Sequence, residues 1–142
     1  MNNLERAKSI LKSNEDYTFV VCKDEEMYTS SYHGVRPLIE LIDTKTDIKG
    51  FSVADKVVGK GAALLFVLAG VKEVHSVIMS ELAVEVLKEH GVTFYYDTLV
   101  GYIINRTGTD MCPIEKAVKE VKNLEDAYPV IKETIKILMA GK

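Results

Sequence analysis

The sequence predicts an α/β domain in which helices form layers on both faces of a mixed β-sheet. Two observations support this three-layer α/β/α arrangement. A short hairpin precedes strands that alternate with helices, and consecutive strand–helix–strand units place their strands parallel. The chain has 142 residues, of which 47% are hydrophobic, so it is long enough to bury a core. We therefore expect residues 1–142 to form a single domain with an antiparallel strand at one edge of the sheet.

Hydrophobic periodicity and turn residues predict the individual elements along the chain. Leu4, Ala7 and Leu11 recur at helical spacing, which predicts an amphipathic first helix. Glycines are typical just beyond a helix C-terminus and prolines in a first helical turn. The predicted helices cover residues 2–12, 37–42, 55–70, 80–91, 113–122 and 129 onward, and the predicted strands cover residues 17–22, 27–30, 74–79, 92–96 and 101–105.

Composition and charge exclude several classes of function. The net charge is −3 at pH 7, which gives no reason to expect a nucleic-acid partner. No apolar run approaches the roughly 20 residues that cross a bilayer, and the first residues lack a signal-peptide pattern. The two cysteines provide no disulfide framework. We expect a cytoplasmic protein that binds neither nucleic acid nor membranes.

Polar residues at the start of the predicted central helix indicate a binding site. Asp55 would be its N-cap, and Lys56 and Lys60 would follow in the first turns. Cations near a helix N-terminus oppose the helix dipole by roughly 0.3–1 kcal/mol each, so these lysines are better placed to bind an anion than to stabilise the helix. Gly59 and Gly61 would let the anion approach the free amide groups. The alternative is that the lysines are solvated and the glycines allow close packing.

A cysteine at the start of a later helix is a second candidate. Cys112 precedes Pro113, which would place it at a helix N-cap, where the helix dipole favours the thiolate. Asp110 and Glu115 oppose that effect. A nucleophilic role would need a histidine close in space. The chain offers three of them: His33, His75 and His90.

A third candidate lies where another predicted helix follows a strand. Ser80 and Glu81 would stand at the carboxyl end of that strand, where open α/β sheets place their ligands. The alternative is that both residues only cap the helix. The sequence contains no motif with the ligand spacing of a zinc site and no phosphate-binding glycine motif, so we expect neither a metal nor a cofactor.

Three segments of the sequence resemble a known family. They are Asp-Lys-Val-Val-Gly-Lys-Gly-Ala-Ala-Leu-Leu at 55–65, Ser-Glu at 80–81 and Asp-Met-Cys-Pro at 110–113. They are similar to an uncharacterised bacterial and archaeal family of unknown function, grouped with the cytidine-deaminase-like superfamily. The resemblance extends over about residues 4–138. It implies a five-stranded mixed sheet between helices, which agrees with the fold predicted from the pattern.

The resemblance also implies that the deaminase zinc site is missing. Active deaminases hold zinc through a His-Ala-Glu segment and a Pro-Cys-x-x-Cys segment, and the glutamate shuttles protons. Val58-Gly59-Lys60 stands where His-Ala-Glu would be, and Ser80 and the residues after it stand near Pro-Cys-x-x-Cys. A pocket at this place would therefore have lysine where deaminases have the proton shuttle.

These observations lead to two functional hypotheses that share one pocket. The first is that the pocket binds a small anionic or nucleotide-like molecule and performs chemistry through Cys112 and Lys60. The second is a non-catalytic ligand-binding or regulatory module. The candidate ligand-binding residues are Asp55, Lys56, Gly59, Gly61, Ser80, Glu81 and Asp110. The last helix would either pack on the core or form a homo-oligomer face through Ile131, Ile135, Leu138 and Met139.

Overall fold

The computed structural model describes residues 2–32, 34–105 and 107–140. The helices are α1 (Asn3–Ser13), α2 (Arg36–Asp43), α3 (Lys60–Ala69), α4 (Glu81–Glu89), α5 (Pro113–Val118) and α6 (Leu124–Ala140). The strands are β1 (Phe19–Lys23), β2 (Glu26–Ser30), β3 (Ser52–Val58), β4 (Glu73–Ser80) and β5 (Thr93–Val100). Over these ranges, no helix combines the length and the apolar character that crossing a membrane would need.

The five strands form one mixed sheet in the order β2-β1-β3-β4-β5. β1 runs antiparallel to both β2 and β3, so the predicted hairpin is confirmed. β3, β4 and β5 are parallel, as their helical crossovers require. The predicted α/β fold with a mixed five-stranded sheet between helices is therefore confirmed.

The two faces of the sheet are covered unequally. On one face, α1 packs against β1 and β3, and the small apolar cluster beneath it includes Leu11, Val20 and Ala54. On the other face, a much larger cluster joins the sheet to the remaining five helices. α3 lies in the middle of this layer, in contact with α2, α4, α5 and α6. Its apolar character on all sides follows from this central position.

The predicted start of the central helix was wrong. Residues 52–58 form β3, so Asp55 lies within a strand and is not a helix N-cap. α3 begins at Lys60, with Gly59 as its N-cap. Three valines in this segment favour a strand because their β-branched side chains pack well on a pleated surface. The apolar run continues from strand to helix, and hydrophobic periodicity does not separate a short buried strand from a buried helix.

Three further boundaries differ from the prediction. Residues 101–105 do not form a strand and contribute only an isolated bridge between Ile104 and Met111. α5 ends at Val118, about one turn earlier than expected. α6 begins at Leu124, so Pro129 lies inside the helix and does not open it. A proline in a long helix removes one hydrogen bond, and the other turns of this 17-residue helix remain.

Candidate functional site

A buried carboxylate lies where the N-termini of α3 and α4 meet. Glu115 of α5 is 2% exposed, and its Oε1 accepts hydrogen bonds from the Lys60 backbone N–H and the Ser80 hydroxyl, both at 2.7 Å. Its Oε2 accepts a hydrogen bond from the Ile103 backbone N–H. The Ser80 hydroxyl oxygen also accepts the Ala83 N–H at 3.1 Å, which confirms Ser80 as the N-cap of α4. The partial positive charges of both helix N-termini therefore meet a carboxylate supplied by the chain itself.

The space beside Glu115, which we call the central pocket, is small. It encloses about 60 Å³, and its walls include Gly59, Ile103, Cys112 and Ile114. Small-molecule sites usually measure about 300–1,000 Å³. The central pocket therefore holds no more than a few water molecules.

The two glycines at the start of α3 allow α5 to pack closely. A Cβ atom on Gly59 would lie 3.0 Å from the Glu115 Oε1, and one on Gly61 would lie 2.7 Å from the Ile114 Cγ2. The first contact is tighter than most real Cβ contacts, and the second would require movement. This geometry corresponds to the close-packing alternative considered for these glycines.

The two candidate lysines lie on opposite faces of the sheet. Lys60 is half-buried, and its Nζ donates to the Lys119 carbonyl oxygen at 2.7 Å, at the C-terminal end of α5. A cation suits this end of a helix. Lys56 points to the α1 face, where its Nζ donates to the Glu15 carbonyl oxygen at 3.3 Å. The structure therefore does not bring these lysines together at one site.

Asp55 is a buried acid in the middle of the sheet. Its strand neighbours in register are Phe19 of β1 and Ser76 of β4. Burial raises the pKa of its carboxyl group to about 8, and hydrogen bonds from the Val57 and Lys56 N–H groups act weakly in the opposite direction. Asp55 is thus a buried acid within a strand, unlike the helix N-cap that was predicted.

Cys112 occupies the predicted N-cap of α5 and is half-buried at the wall of the central pocket. Its backbone N–H donates to the Ile103 carbonyl oxygen at 2.7 Å. Asp110 lies outside the pocket, where a 2.8 Å ion pair with Lys116 and the Met111 N–H hold the pKa of its carboxyl group below the usual value. Glu81 is exposed in the first turn of α4.

Neither of the described histidines belongs to the central pocket. His75 lies on β4 and faces α1, and His90 is the exposed C-cap of α4. His33, the remaining candidate partner for Cys112, lies outside the described residues. In the ranges that the structure describes, no three His, Cys, Asp or Glu side chains come together as a group able to hold a metal ion.

A much larger cavity, which we call the α1 groove, lies on the other face of the sheet. It measures about 810 Å³ and runs between α1 and the uncovered parts of β3, β4 and β5. Sequence reasoning missed this cavity. It is lined by Glu5, Lys8, Ser9, Leu11, Lys12, Glu15, Lys56, His75, Val77 and Asp97.

The floor of the α1 groove contains a hydrogen-bonded pair. The His75 Nε2 lies 3.1 Å from the Asp97 Oδ1, and the His75 side chain is 8% exposed, whereas that of Asp97 is 61% exposed. Three lysines and three acids share the walls and floor. Along the described parts of the chain, none of the lysines at 8, 12 and 56 forms an ion pair. The Lys56 ammonium group donates one hydrogen bond, to the Glu15 carbonyl oxygen, and has two further N–H groups for an anion.

Comparison with solved structures finds several that are similar to this chain. A DUF1893 family protein from Thermotoga maritima is 26% identical, with a TM-score of 0.84 over 94% of this chain and 90% of that chain. The dCMP deaminase of cyanophage S-TIM5 is 14% identical, with a TM-score of 0.46 over 66% of this chain and 93% of that chain.

A second deaminase is similar at the same level. It is a diaminohydroxyphosphoribosylaminopyrimidine deaminase/5-amino-6-(5-phosphoribosylamino)uracil reductase from Thermotoga maritima, 15% identical, with a TM-score of 0.46 over 82% of this chain and 40% of that chain. None of the curated proteins matches this chain. The family model described as "Domain of unknown function (DUF1893)" matches residues 6–135, which confirms the resemblance seen in the sequence. The chain therefore belongs to the DUF1893 family.

Proposed function

We propose that this DUF1893 protein is a non-catalytic binding module that takes up a small anionic, nucleotide-like molecule in the α1 groove. The observation that supports this proposal is the contrast in size between the two cavities. The α1 groove measures about 810 Å³, within the range of known small-molecule sites, whereas the central pocket measures about 60 Å³.

The three lysines of the groove are the groups that would bind an anion, and three acids share the lining with them. Lys8, Lys12 and Lys56 come from two different elements, so a phosphate or carboxylate group between them would meet ammonium groups from both sides. Charge-assisted hydrogen bonds of this kind are roughly twice as strong as neutral ones. In this proposal Lys56, a candidate from the sequence, binds the anion in the α1 groove and not at the start of α3.

The floor of the groove favours a partly apolar body attached to that anion. Val77 is 40% exposed there and provides apolar surface. The His75–Asp97 pair supplies polar contacts to the same body.

The central pocket lacks the features of a working catalytic site. Three donors already bind the Glu115 carboxylate, which is 2% exposed. An incoming anion would have to displace a buried carboxylate of the same charge. This is why we place the ligand in the α1 groove and propose no reaction.

The proposal is tested by native mass spectrometry of protein purified from cells, followed by calorimetric titration with cytidine 5′-monophosphate and with inorganic phosphate. Lys56→Ala should weaken binding about tenfold or more, as the loss of one charged hydrogen bond implies. Lys136→Ala, an exposed α6 lysine remote from the groove, is the matched control and should bind as the wild type does. Absence of both a retained molecule and measurable binding, or equal weakening by the two variants, would contradict the proposal.

A further inference from the structure

β5 forms an open edge of the sheet. It is eight residues long and pairs on one side only, with β4 in parallel. In a parallel pair, every second residue directs its N–H and C=O groups away from the partner strand. Within the described ranges, no other segment forms backbone hydrogen bonds with this outer edge.

The side chains of β5 do not protect this edge. Tyr95, Tyr96 and Leu99 are 50%, 41% and 40% exposed, and successive residues point to opposite faces, so apolar surface is exposed on both. The strand has no lysine, no proline and a single charge, at Asp97. Sheet edges that remain unpaired in natural proteins are usually short, or carry lysine, proline or a bulge.

β2, at the opposite edge, is shorter than β5. It has five residues against eight, and it begins at the charged Glu26. Pairing of β5 with β2 of another copy would be head-to-tail, and such contacts continue into open filaments. Pairing of β5 with itself about a two-fold axis closes after two copies and leaves only the shorter β2 edges exposed.

We propose that two copies of this chain associate through antiparallel pairing of their β5 strands, which joins their sheets into one sheet of ten strands. The two-fold axis is perpendicular to the sheet, so both α1 grooves open on the same side. With Tyr96 on the axis, Asp97 of one copy lies opposite Tyr95 of the second copy. The two Asp97 side chains are therefore not opposite each other. Like charges directly opposite each other are thereby avoided. The pairing does not depend on the proposed ligand.

Sedimentation velocity of the full chain across a broad concentration range tests the pairing. The wild type should sediment at twice the 15.8 kDa mass of one chain. Leu99→Lys places a charge on the paired edge and should sediment at the mass of a single chain. Met139→Lys, a matched change at a 63% exposed methionine of α6, should stay dimeric. Thr98→Lys alters the same edge without removing an apolar side chain, and it replaces Leu99→Lys if that variant does not fold.

Hydrogen exchange of β5 amides gives a second measurement. The pairing predicts slow exchange along β5 in the wild type and faster exchange in the monomeric variant. A wild type that is monomeric at all concentrations would overturn the proposal. A dimer that survives the lysine substitutions on β5, or one that dissociates on Met139→Lys, would overturn it as well, the latter because the interface would then lie on α6.

Discussion

The central pocket and the α1 groove lie on opposite faces of one sheet, and they differ in what fills them. In the central pocket, Glu115 satisfies two helix N-termini and the packing of α5 leaves about 60 Å³. On the other face, a single helix covers the sheet, and about 810 Å³ remains between polar walls. A pair of helix N-termini favours a negatively charged group. Whether a ligand or a side chain of the protein supplies that group depends on how the other elements pack around it.

Removal of the Glu115 carboxylate should cause the largest loss of stability. Glu115→Ala leaves two backbone N–H groups and the Ser80 hydroxyl without their acceptor in a buried place. Because each unsatisfied group costs about 1–3 kcal/mol, we expect a loss of about 3–5 kcal/mol in the free energy of unfolding. Chemical denaturation measures it, with exposed Glu120→Ala as the control, expected to change stability by less than about 0.5 kcal/mol. A loss below about 1 kcal/mol for Glu115→Ala would show that the carboxylate does not close the central pocket.

The sheet between the two cavities should respond to pH through Asp55. Its folded-state pKa of about 8 lies above the unfolded value, so between about pH 4 and pH 8 the folded state binds more protons than the unfolded state. The contribution of Asp55 to stability is therefore most favourable below pH 4 and falls by on the order of 1 kcal/mol per pH unit up to about pH 8. Asp55→Asn should remove this dependence and raise stability at neutral and alkaline pH. Denaturation at several pH values measures it, and the exposed Asp16→Asn should retain the wild-type slope.

Adding a methyl group at the start of α3 should destabilise the protein less than the loss of Glu115 does. Gly61→Ala places a Cβ 2.7 Å from the Ile114 Cγ2, which must then move. We expect a destabilisation of about 1–2 kcal/mol, the usual cost of overpacking. Gly101→Ala, where nothing lies within 4 Å, is the control for the added methyl group. Equal thermal midpoints for the two variants would mean that α5 does not pack tightly against α3.

The smallest expected effect on stability is that of replacing Lys60, and it distinguishes the role of Lys60 from that of Lys56. Lys60→Met removes one hydrogen bond to the Lys119 carbonyl oxygen and should cost about 0.5–1.5 kcal/mol. It should leave the affinity for cytidine 5′-monophosphate unchanged, whereas Lys56→Ala should reduce that affinity. Weaker binding by Lys60→Met would instead place the ligand at the central pocket.

Features fixed by neighbouring residues could be predicted from the sequence. The hairpin, the Ser80 cap and the glycine at position 70, which adopts a left-handed conformation, all depend on side chains within a few positions. Glu115 could not be assigned its role in this way, because its partners Lys60 and Ser80 lie 55 and 35 residues away in the chain. Its sequence neighbourhood indicates only a helix first turn.

The α1 groove was missed because β3 was predicted as part of a helix. Once β3 is a strand, Lys56, His75 and Asp97 are polar residues on three adjacent parallel strands. Alternate residues of a strand point to the same face of the sheet, so polar residues at these positions indicate a polar floor. The misassigned segment therefore accounts for both the misplaced lysine and the missed cavity.

The central claim is that a ligand binds in the α1 groove and not in the central pocket. A heteronuclear NMR titration of the wild type with cytidine 5′-monophosphate tests it most directly. We predict that the largest shifts occur at the amides of Lys8, His75, Val77 and Asp97, with little change at Gly59 and Cys112. Shifts concentrated at Gly59, Ser80 and Cys112 would contradict the claim.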